Sequence, residues 1–454
     1  MKKLLFFTAE FDSHIFPIIP LLKNLSNEYD VFCVGIRKHK EIIQSSGCRF
    51  VSYPKNYSEK THLNQKNKIL EEIDTENRIF FNSIKKNHLN KIDNSIIKGL
   101  ESYIHNTIRA DALKIYNFKK SNYLFSENLI DIIEPNLIFK DTLENYSSSI
   151  AKERNIKCIE YITNNSYGFD YLNSSKRELY SSFFNIGNDS LLSDSFFESL
   201  FDEIKHIYEE VSYELNIPKL FPYPTYNLKE KNNIIFSIPD LHSEISLYSK
   251  HQNFYFVHPY AKDFQKENNV NISEDLKKFI NSNVHRKIAY ISTGSFVNLE
   301  SSFYSQWVKS LIKKNYKVII SSLKIDTDSI FIDSRSSDLV FFGSYLPQKY
   351  ILENADVFIN AGGANSIFES IYFGVPIIIT PISPEQVMNG ITLEKYGVAR
   401  TLTIKGITQY TNDEALQQIE DNQILIKERM AYLKKLYWND NNLKQLIFEL
   451  IEKN

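Results

Sequence analysis

The stretch that most constrains this chain runs from residue 355 to 390, ADVFINAGGANSIFESIYFGVPIIITPISPEQVMNG. An apolar run, Val357 to Ile359, meets Gly362 and Gly363. Asn365 and Ser366 follow, then a helical pattern through Phe368, Glu369 and Tyr372 that stops at Gly374. A second apolar run, Val375 to Ile379, leads into a polar loop ending in Glu385 and Gln386. Strand, glycine turn, helix and strand make one βαβ unit. Glycines let the backbone come close to a ligand. The first N–H groups of the helix then point at it, with about half a positive charge from the aligned peptide dipoles. The pattern predicts a seat for a phosphate or diphosphate, although a glycine turn alone also serves purely structural ends.

The rest of the chain repeats this alternation. Leu4 to Thr8 reads as a buried strand, Ala9 to Ile15 as a loop, and Pro17 as the opening of a helix through Leu21, Leu22 and Leu25. Proline suits that place, because its missing N–H costs nothing in a first turn. Strands are expected at Val31 to Val34, Cys48 to Tyr53, Pro135 to Asp141, Ile156 to Tyr161 and Asn233 to Ile238. In the second half they are expected at Lys287 to Ser292, Lys317 to Ser321 and Leu339 to Phe342. A helix is expected over 301 to 314, a capped one from Thr411, and amphipathic helix over 424 to 453. Such alternation argues for parallel α/β sheets. His14 falls between the first strand and the first helix, the edge where open α/β sheets bind ligands. A loop histidine there also has a plain reading as an exposed or capping residue.

Composition narrows the classes. A chain of 454 residues has room for two or three domains with sizeable cores. A formal charge of −2 implies no bulk attraction to nucleic acid or anionic membrane. No apolar run approaches the roughly 20 residues needed to span a bilayer. The apolar stretch after Lys2 and Lys3 is too short for a signal peptide and reads as a first strand. Cys33, Cys48 and Cys158 have no ligand or redox spacing and read as reduced thiols of a cytoplasmic protein. Residues 55 to 128 are rich in Lys and Asn, with a positive excess from Arg78 to Lys120. Solvated helix faces account for that, or an acceptor-binding insertion that prefers acidic groups. No nucleic-acid recognition motif accompanies the charge. Residues 162 to 230 are aromatic-rich (Phe183, Phe184, Phe196, Phe197, Phe201, Tyr208, Tyr213), which reads first as packing.

The opening stretch as a whole resembles the donor-sugar signature of nucleotide-sugar-dependent glycosyltransferases of the GT-B fold, the UDP-glycosyltransferase and macrolide glycosyltransferase group. Their pattern reads His-x-Gly-x-Asn-Ser, then Glu, then Gly-Val-Pro, then Asp/Glu-Gln. Here it reads Ala361-Gly362-Gly363-Ala364-Asn365-Ser366, Glu369, Gly374-Val375-Pro376 and Glu385-Gln386, with Ala361 in place of histidine. Ser13-His14-Ile15-Phe16-Pro17 resembles the group's Gly-His-x-x-Pro, and Thr293-Gly294-Ser295 its Gly-Ser turn. Tyr345-Leu346-Pro347-Gln348 resembles its Trp-x-Pro-Gln segment.

The resemblance implies an α/β chain of GT-B architecture: two Rossmann-like domains facing across a cleft. It implies an acceptor-binding domain over 1–240, a linker over 241–260, a donor domain over 261–430, and a last helix over 431–454 that returns to the first domain. Trp438, Leu443, Leu446 and Ile447 are expected to pack there. The implied reaction is inverting transfer of a sugar from a nucleoside diphosphate, foremost UDP, to a hydroxyl of a small-molecule acceptor such as a natural product. His14 is then the general base and Asp141 its carboxylate partner, though a capping role for Asp141 is the plain alternative. Gly294, Ser295, Gly362, Gly363, Asn365, Ser366 and the helix N-terminus would meet the diphosphate. Tyr345 would stack on the base, with the Leu346 backbone reading its edge and Gln348 beside it. Glu369 would take the ribose, and Glu385 and Gln386 the sugar hydroxyls. No metal or other cofactor, nucleic acid or stable membrane insertion is implied; the oligomeric state is open. Ala361 cannot donate the histidine's contact, which keeps alive an alternative: a weak or inactive nucleotide-binding relative that serves as a partner protein.

Overall fold

The structure is a computed structural model. It describes residues 1–54, 123–144, 147–163, 230–241, 253–257, 272–282, 285–293, 299–322, 334–381, 384–402 and 409–437, with isolated positions between them. The Lys/Asn-rich segment 55–122 and nearly all of the aromatic-rich 164–229 lie outside the described residues; Tyr213 is described and exposed. The chain divides into two compact units. One contains Met1–Arg177, Ser190–Tyr260 and Asn441–Asn454, and the other is built chiefly from Ala261–Asp440.

The first unit holds a seven-stranded sheet. Its strands are β1 (Lys3–Phe7), β2 (Asp30–Gly35), β3 (Arg49–Ser52), β4 (Leu137–Asp141), β5 (Lys157–Ile162), β6 (Asn232–Ile235) and β7 (Asn253–Phe256). They pair in parallel in the order β3-β2-β1-β4-β5-β6-β7. Strand β7 falls inside the segment read as a linker. Side chains alternate between two cores. Leu4, Phe6, Leu137, Phe139 and Tyr161 pack with Ile15, Ile18, Leu22 and Leu25 on one face. Leu5, Phe7, Ile138 and Val34 pack with Ile130, Ile133, Ile150 and Ala151 on the other. Helices on both faces bury the strands on both sides, which is why these strands read as nearly continuous apolar runs. Ile451 is buried in the first of these cores, and Lys2 Nζ donates to its carbonyl at 3.4 Å, so the C-terminal stretch belongs to this unit. Trp438, Leu443, Leu446 and Ile447 lie outside the described residues.

The helices of this unit that matter below are α1 (Asp12–Ile15), α2 (Ile19–Leu25), α3 (Lys40–Ser45) and α4 (Ser147–Glu153), with a 3-10 turn at Phe16–Ile18. His14 therefore sits in a turn of helix, where the sequence reading had a loop. Pro17 falls in the 3-10 turn that joins α1 to α2.

The second unit holds a six-stranded parallel sheet. Its strands are β8 (Lys287–Ser292), β9 (Tyr316–Ser321), β10 (Val340–Gly343), β11 (Val357–Asn360), β12 (Ile377–Ile379) and β13 (Ala399–Thr401), in the order β10-β9-β8-β11-β12-β13. The helices are α5 (Glu274–Asn281), α6 (Ser301–Lys313), α7 (Gln348–Leu352), α8 (Ala364–Phe373), α9 (Pro384–Lys395), α10 (Gln409–Asp421) and α11 (Gln423–Tyr437). Helix α10 begins two residues before the expected Thr411. Tyr290 and Phe358 stack at 5.0 Å within a core that also takes Leu276, Ile319, Ile351 and Val375. Among the described residues no helix is long and apolar enough to cross a membrane.

Candidate functional site

In the first sheet, strand order reverses between the neighbours β1 and β4. At such a point the connections leave in opposite directions, and a crevice opens at the C-terminal ends of the strands. His14 follows β1 and Asp141 ends β4, so the fold delivers both to this point. His14 Nδ1 lies 2.9 Å from Asp141 Oδ2, with the two side chains 3% and 0% exposed. Asp141 Oδ1 accepts the Leu143 N–H at 2.9 Å. An ionised carboxylate only accepts, so Nδ1 carries the proton and Nε2 holds the lone pair. The Phe11 ring lies against the imidazole, with centroids 5.8 Å apart. Phe16 and Leu143, close to the pair in sequence, are exposed apolar side chains. Buried Tyr161 donates to the Phe7 carbonyl at 3.2 Å. Burial, and after it the Asp141 charge, pushes its hydroxyl well above the ordinary tyrosine value, so it stays a neutral donor.

The sequence reading missed the groups that hold α1. Asp12 accepts from His39 Nε2 and from Lys38 Nζ, each at 2.7 Å. Burial alone would raise the Asp12 carboxyl, but hydrogen bonds and charge from Lys38 and His39 bring it below the ordinary value. Only one weak signal was available: Lys38 and His39 follow β2 at the same sheet edge.

In the second sheet the reversal falls between β8 and β11. The glycine turn leaves β11 there. Gly362 takes φ of 86°, which L side chains rarely adopt, and a Cβ on it would stand 2.7 Å from Ile379 Cγ2. Two buried asparagines hold its peptide groups. Asn360 Oδ1 accepts the Gly362 N–H at 2.6 Å, and Asn389 Nδ2 donates to the Gly362 carbonyl at 2.8 Å. Neither was singled out in the sequence. Gly363 precedes α8 with ordinary extended angles, and a Cβ on it would meet nothing within 4 Å. Gly363, the N-cap of α8, has no side chain with which to cap the helix. Ala361 is buried, whereas Asn365, Ser366 and Glu369 are half-buried. Gly374 ends the helix in the left-handed conformation at φ 69°.

Gln348, at the start of α7, joins the neighbouring groups. Its Nε2 donates to Glu369 Oε2 at 2.6 Å and to Ser366 Oγ at 3.4 Å, and its Oε1 accepts from Tyr290 at 3.4 Å. Burial raises the Tyr290 hydroxyl, so it too remains a donor. The Gln348 amide thus holds the Glu369 carboxylate. Tyr345 is 91% exposed, an unusual position for a large ring in a structured segment, and Leu346 beside it is half-buried.

Glu385 and Gln386 lie in the first turn of α9, not in a loop, because Pro384 opens that helix. Gly294 and Ser295 lie outside the described residues, as does the Glu385 side chain. An Asp-x-Asp triplet, Asp326 to Asp328, also lies outside the described residues. Among the described residues no group of three or more His, Cys, Asp or Glu could hold a metal ion.

Comparison with known proteins gives sequence relatives and structures of the same fold. Residues 241–446 match the family model described as UDP-glucoronosyl and UDP-glucosyl transferase. The NDP-glycosyltransferase YjiC of Bacillus subtilis (strain 168) is 28% identical over 174 residues, which are 38% of this chain. The match spans 41% of that relative's length. Two solved structures share the fold. The glycotransferase of kitacinnamycin has a TM-score of 0.62 at 15% identity, over 99% of this chain and 98% of the other. Medicago truncatula UGT71G1, complexed with UDP-glucose, has a TM-score of 0.62 at 17% identity, over 100% and 98%. Residues 241–446 thus match the UDP-glucoronosyl and UDP-glucosyl transferase family model, and the chain has the GT-B fold.

Proposed function

We propose that this protein is an inverting, metal-independent glycosyltransferase that moves a sugar from a nucleoside diphosphate, foremost UDP, to a hydroxyl of a small-molecule acceptor. The observation that carries this reading is the buried His14–Asp141 pair. An acceptor hydroxyl is a poor nucleophile and must lose its proton as it attacks. His14 takes that proton on Nε2 as the acceptor oxygen bonds to the anomeric carbon. The bond from that carbon to the diphosphate oxygen breaks, and the electron pair leaves with the diphosphate. Attack opposite the leaving group inverts the centre. Asp141 holds the tautomer and stabilises the imidazolium that forms, and base assistance of this kind gives about 10²- to 10⁴-fold.

The diphosphate gains charge as it leaves, so donors fixed in advance favour the transition state. The first turn of α8, with Asn365 and Ser366, serves this role, joined by Gly294 and Ser295. The clamped Gly362 turn and the open approach at Gly363 support it. Glu369, held by Gln348, takes the ribose hydroxyls, and Tyr345 offers its ring to the base above the Leu346 backbone. Glu385 and Gln386 take the sugar. Ala361 leaves the diphosphate to backbone and hydroxyl donors. The exposed Phe16 and Leu143 favour an acceptor with an apolar face.

Calorimetry with UDP, TDP and GDP, followed by mass spectrometry of products from an acceptor panel offered several nucleotide sugars, tests the reading. UDP binding with an inverted glycoside product is expected. Absence of nucleotide binding together with absence of product overturns it.

A further inference from the structure

The helix that carries His14 cannot hold its own position. It has four residues, its flanking Phe11 is extended, and no side chain caps it. A single turn of helix is not self-supporting, because it fixes several dihedrals for one hydrogen bond. The strand exit before it is fixed by two buried tyrosines. Tyr161 donates to the Phe7 carbonyl at 3.2 Å and Tyr53 to the Thr8 carbonyl at 2.9 Å. Beyond Thr8, the helix is gripped through Asp12. Its Oδ1 accepts from His39 Nε2 and its Oδ2 from Lys38 Nζ, both at 2.7 Å.

His39 is the unusual member. It is 2% exposed, and among the described residues its Nδ1 is buried with no hydrogen-bond partner. Because a carboxylate only accepts, Nε2 carries a proton, and the buried Nδ1 is unmet whether it holds a lone pair or a second proton. An unmet buried polar atom opposes folding, and an apolar residue of similar size would avoid it. The imidazole is accounted for by its hold on Asp12. Lys38 is largely exposed and contributes charge more than geometry.

We infer that Asp12 and His39 are a positioning pair for the general base: they set the place of α1 and hence of His14, and touch no reacting atom themselves. The inference rests on His14 being the base. Catalytic geometry is demanding, and a displacement of about 1 Å can cost about 10²-fold in rate.

The test compares kcat, both KM values, UDP affinity and melting temperature in the wild type, His14→Ala, His39→Leu, His39→Gln, Asp12→Ala and the Asp12→Ala/His39→Leu double variant. His39→Leu is expected to lose about 10- to 100-fold in kcat well below its melting temperature, with UDP affinity within about twofold. His39→Gln, which can place an amide N–H near the lost Nε2–H, is expected to recover most of it. The double variant is expected to lose no more than the worse single one, since the two act as a unit. Asp12→Ala carries the test alone where His39→Leu does not fold. If His14→Ala abolishes turnover while His39→Leu and Asp12→Ala keep wild-type kcat, the pair serves stability only and the inference falls. If His14→Ala itself turns over normally, the base assignment fails, and this inference with it.

Discussion

Gly362 and Gly363 are adjacent but answer to different demands, and alanine at each separates them. Alanine at Gly362 must accept φ of 86° with its Cβ 2.7 Å from Ile379 Cγ2 and 3.1 Å from the Gln386 carbonyl oxygen. The left-handed conformation costs an L side chain about 1–2 kcal/mol, and forced contact in a filled interior about 1–3 kcal/mol. Gly362→Ala is therefore expected to destabilise by about 2–5 kcal/mol. Gly363, at φ −67° and ψ 143°, has angles that alanine adopts, and its Cβ would meet nothing within 4 Å. A less flexible unfolded chain favours alanine there by about 0.4–1 kcal/mol, and its poorer standing before a helix opposes that by a similar amount. Stability should hardly change. The open space, however, is where the proposed diphosphate meets the first turn of α8. A methyl group that holds it off one charge-assisted donor costs about 1.5–3 kcal/mol, or about 10- to 150-fold in UDP affinity. Urea unfolding measures the first quantity and calorimetry with UDP the second. A Gly363→Ala protein that binds UDP as the wild type does refutes the placement of the diphosphate. A Gly362→Ala protein of unchanged stability refutes the steric argument.

Three further outcomes follow from buried or held charges. Lys140 and Glu160, both 1% exposed, pair at 2.9 Å beside Asp141; Glu160→Gln strands a buried ammonium and should cost about 3–5 kcal/mol in urea unfolding, with the Lys140→Met/Glu160→Leu double variant losing less than the two singles combined. Lys317, 1% exposed, donates from Nζ to the Phe279 carbonyl at 2.9 Å and to those of Ile280 and Ser282 at the end of α5, so Lys317→Met should lose about 2–4 kcal/mol by the same measurement. The Asp12 carboxyl lies below the ordinary 3.8 when folded, because bonds and charge from Lys38 and His39 outweigh burial. A carboxylate held low adds stability that is complete above the unfolded value and is lost as pH falls through the folded one. The gap in melting temperature between wild type and Asp12→Asn should therefore be full at neutral pH and close below 3.8.

The run from residue 355 to 390 is legible in the sequence because its signals are local. Apolar Val357 to Ile359 becomes β11, Gly374 stops α8 in the left-handed conformation, and Ile377 to Ile379 becomes β12. Most strand positions were legible for a similar reason, since strands buried on both faces stand out as apolar runs, but the sheet-edge strands β7 and β13 were not read as strands. Boundaries were less legible where two signals compete. Pro17 suggested a helix start, but α1 begins five residues earlier, at Asp12, whose acid suits the first turn. Pro384 held the same kind of signal for α9, which the polar look of Glu385 and Gln386 obscured. The pairing of His14 with Asp141 spans 127 residues and was read only through resemblance. Asp12 with His39, Gln348 with Glu369, and the asparagines around Gly362 are set by tertiary packing. Nothing in their local spacing reports it.

The most direct test of the account is the turnover of His14→Ala set beside its affinity for UDP. The proposed base belongs to the first unit and the proposed nucleotide groups to the second, so one should fall without the other. The account predicts a loss of about 10²- to 10⁴-fold in kcat with UDP affinity unchanged. Wild-type turnover in His14→Ala contradicts it.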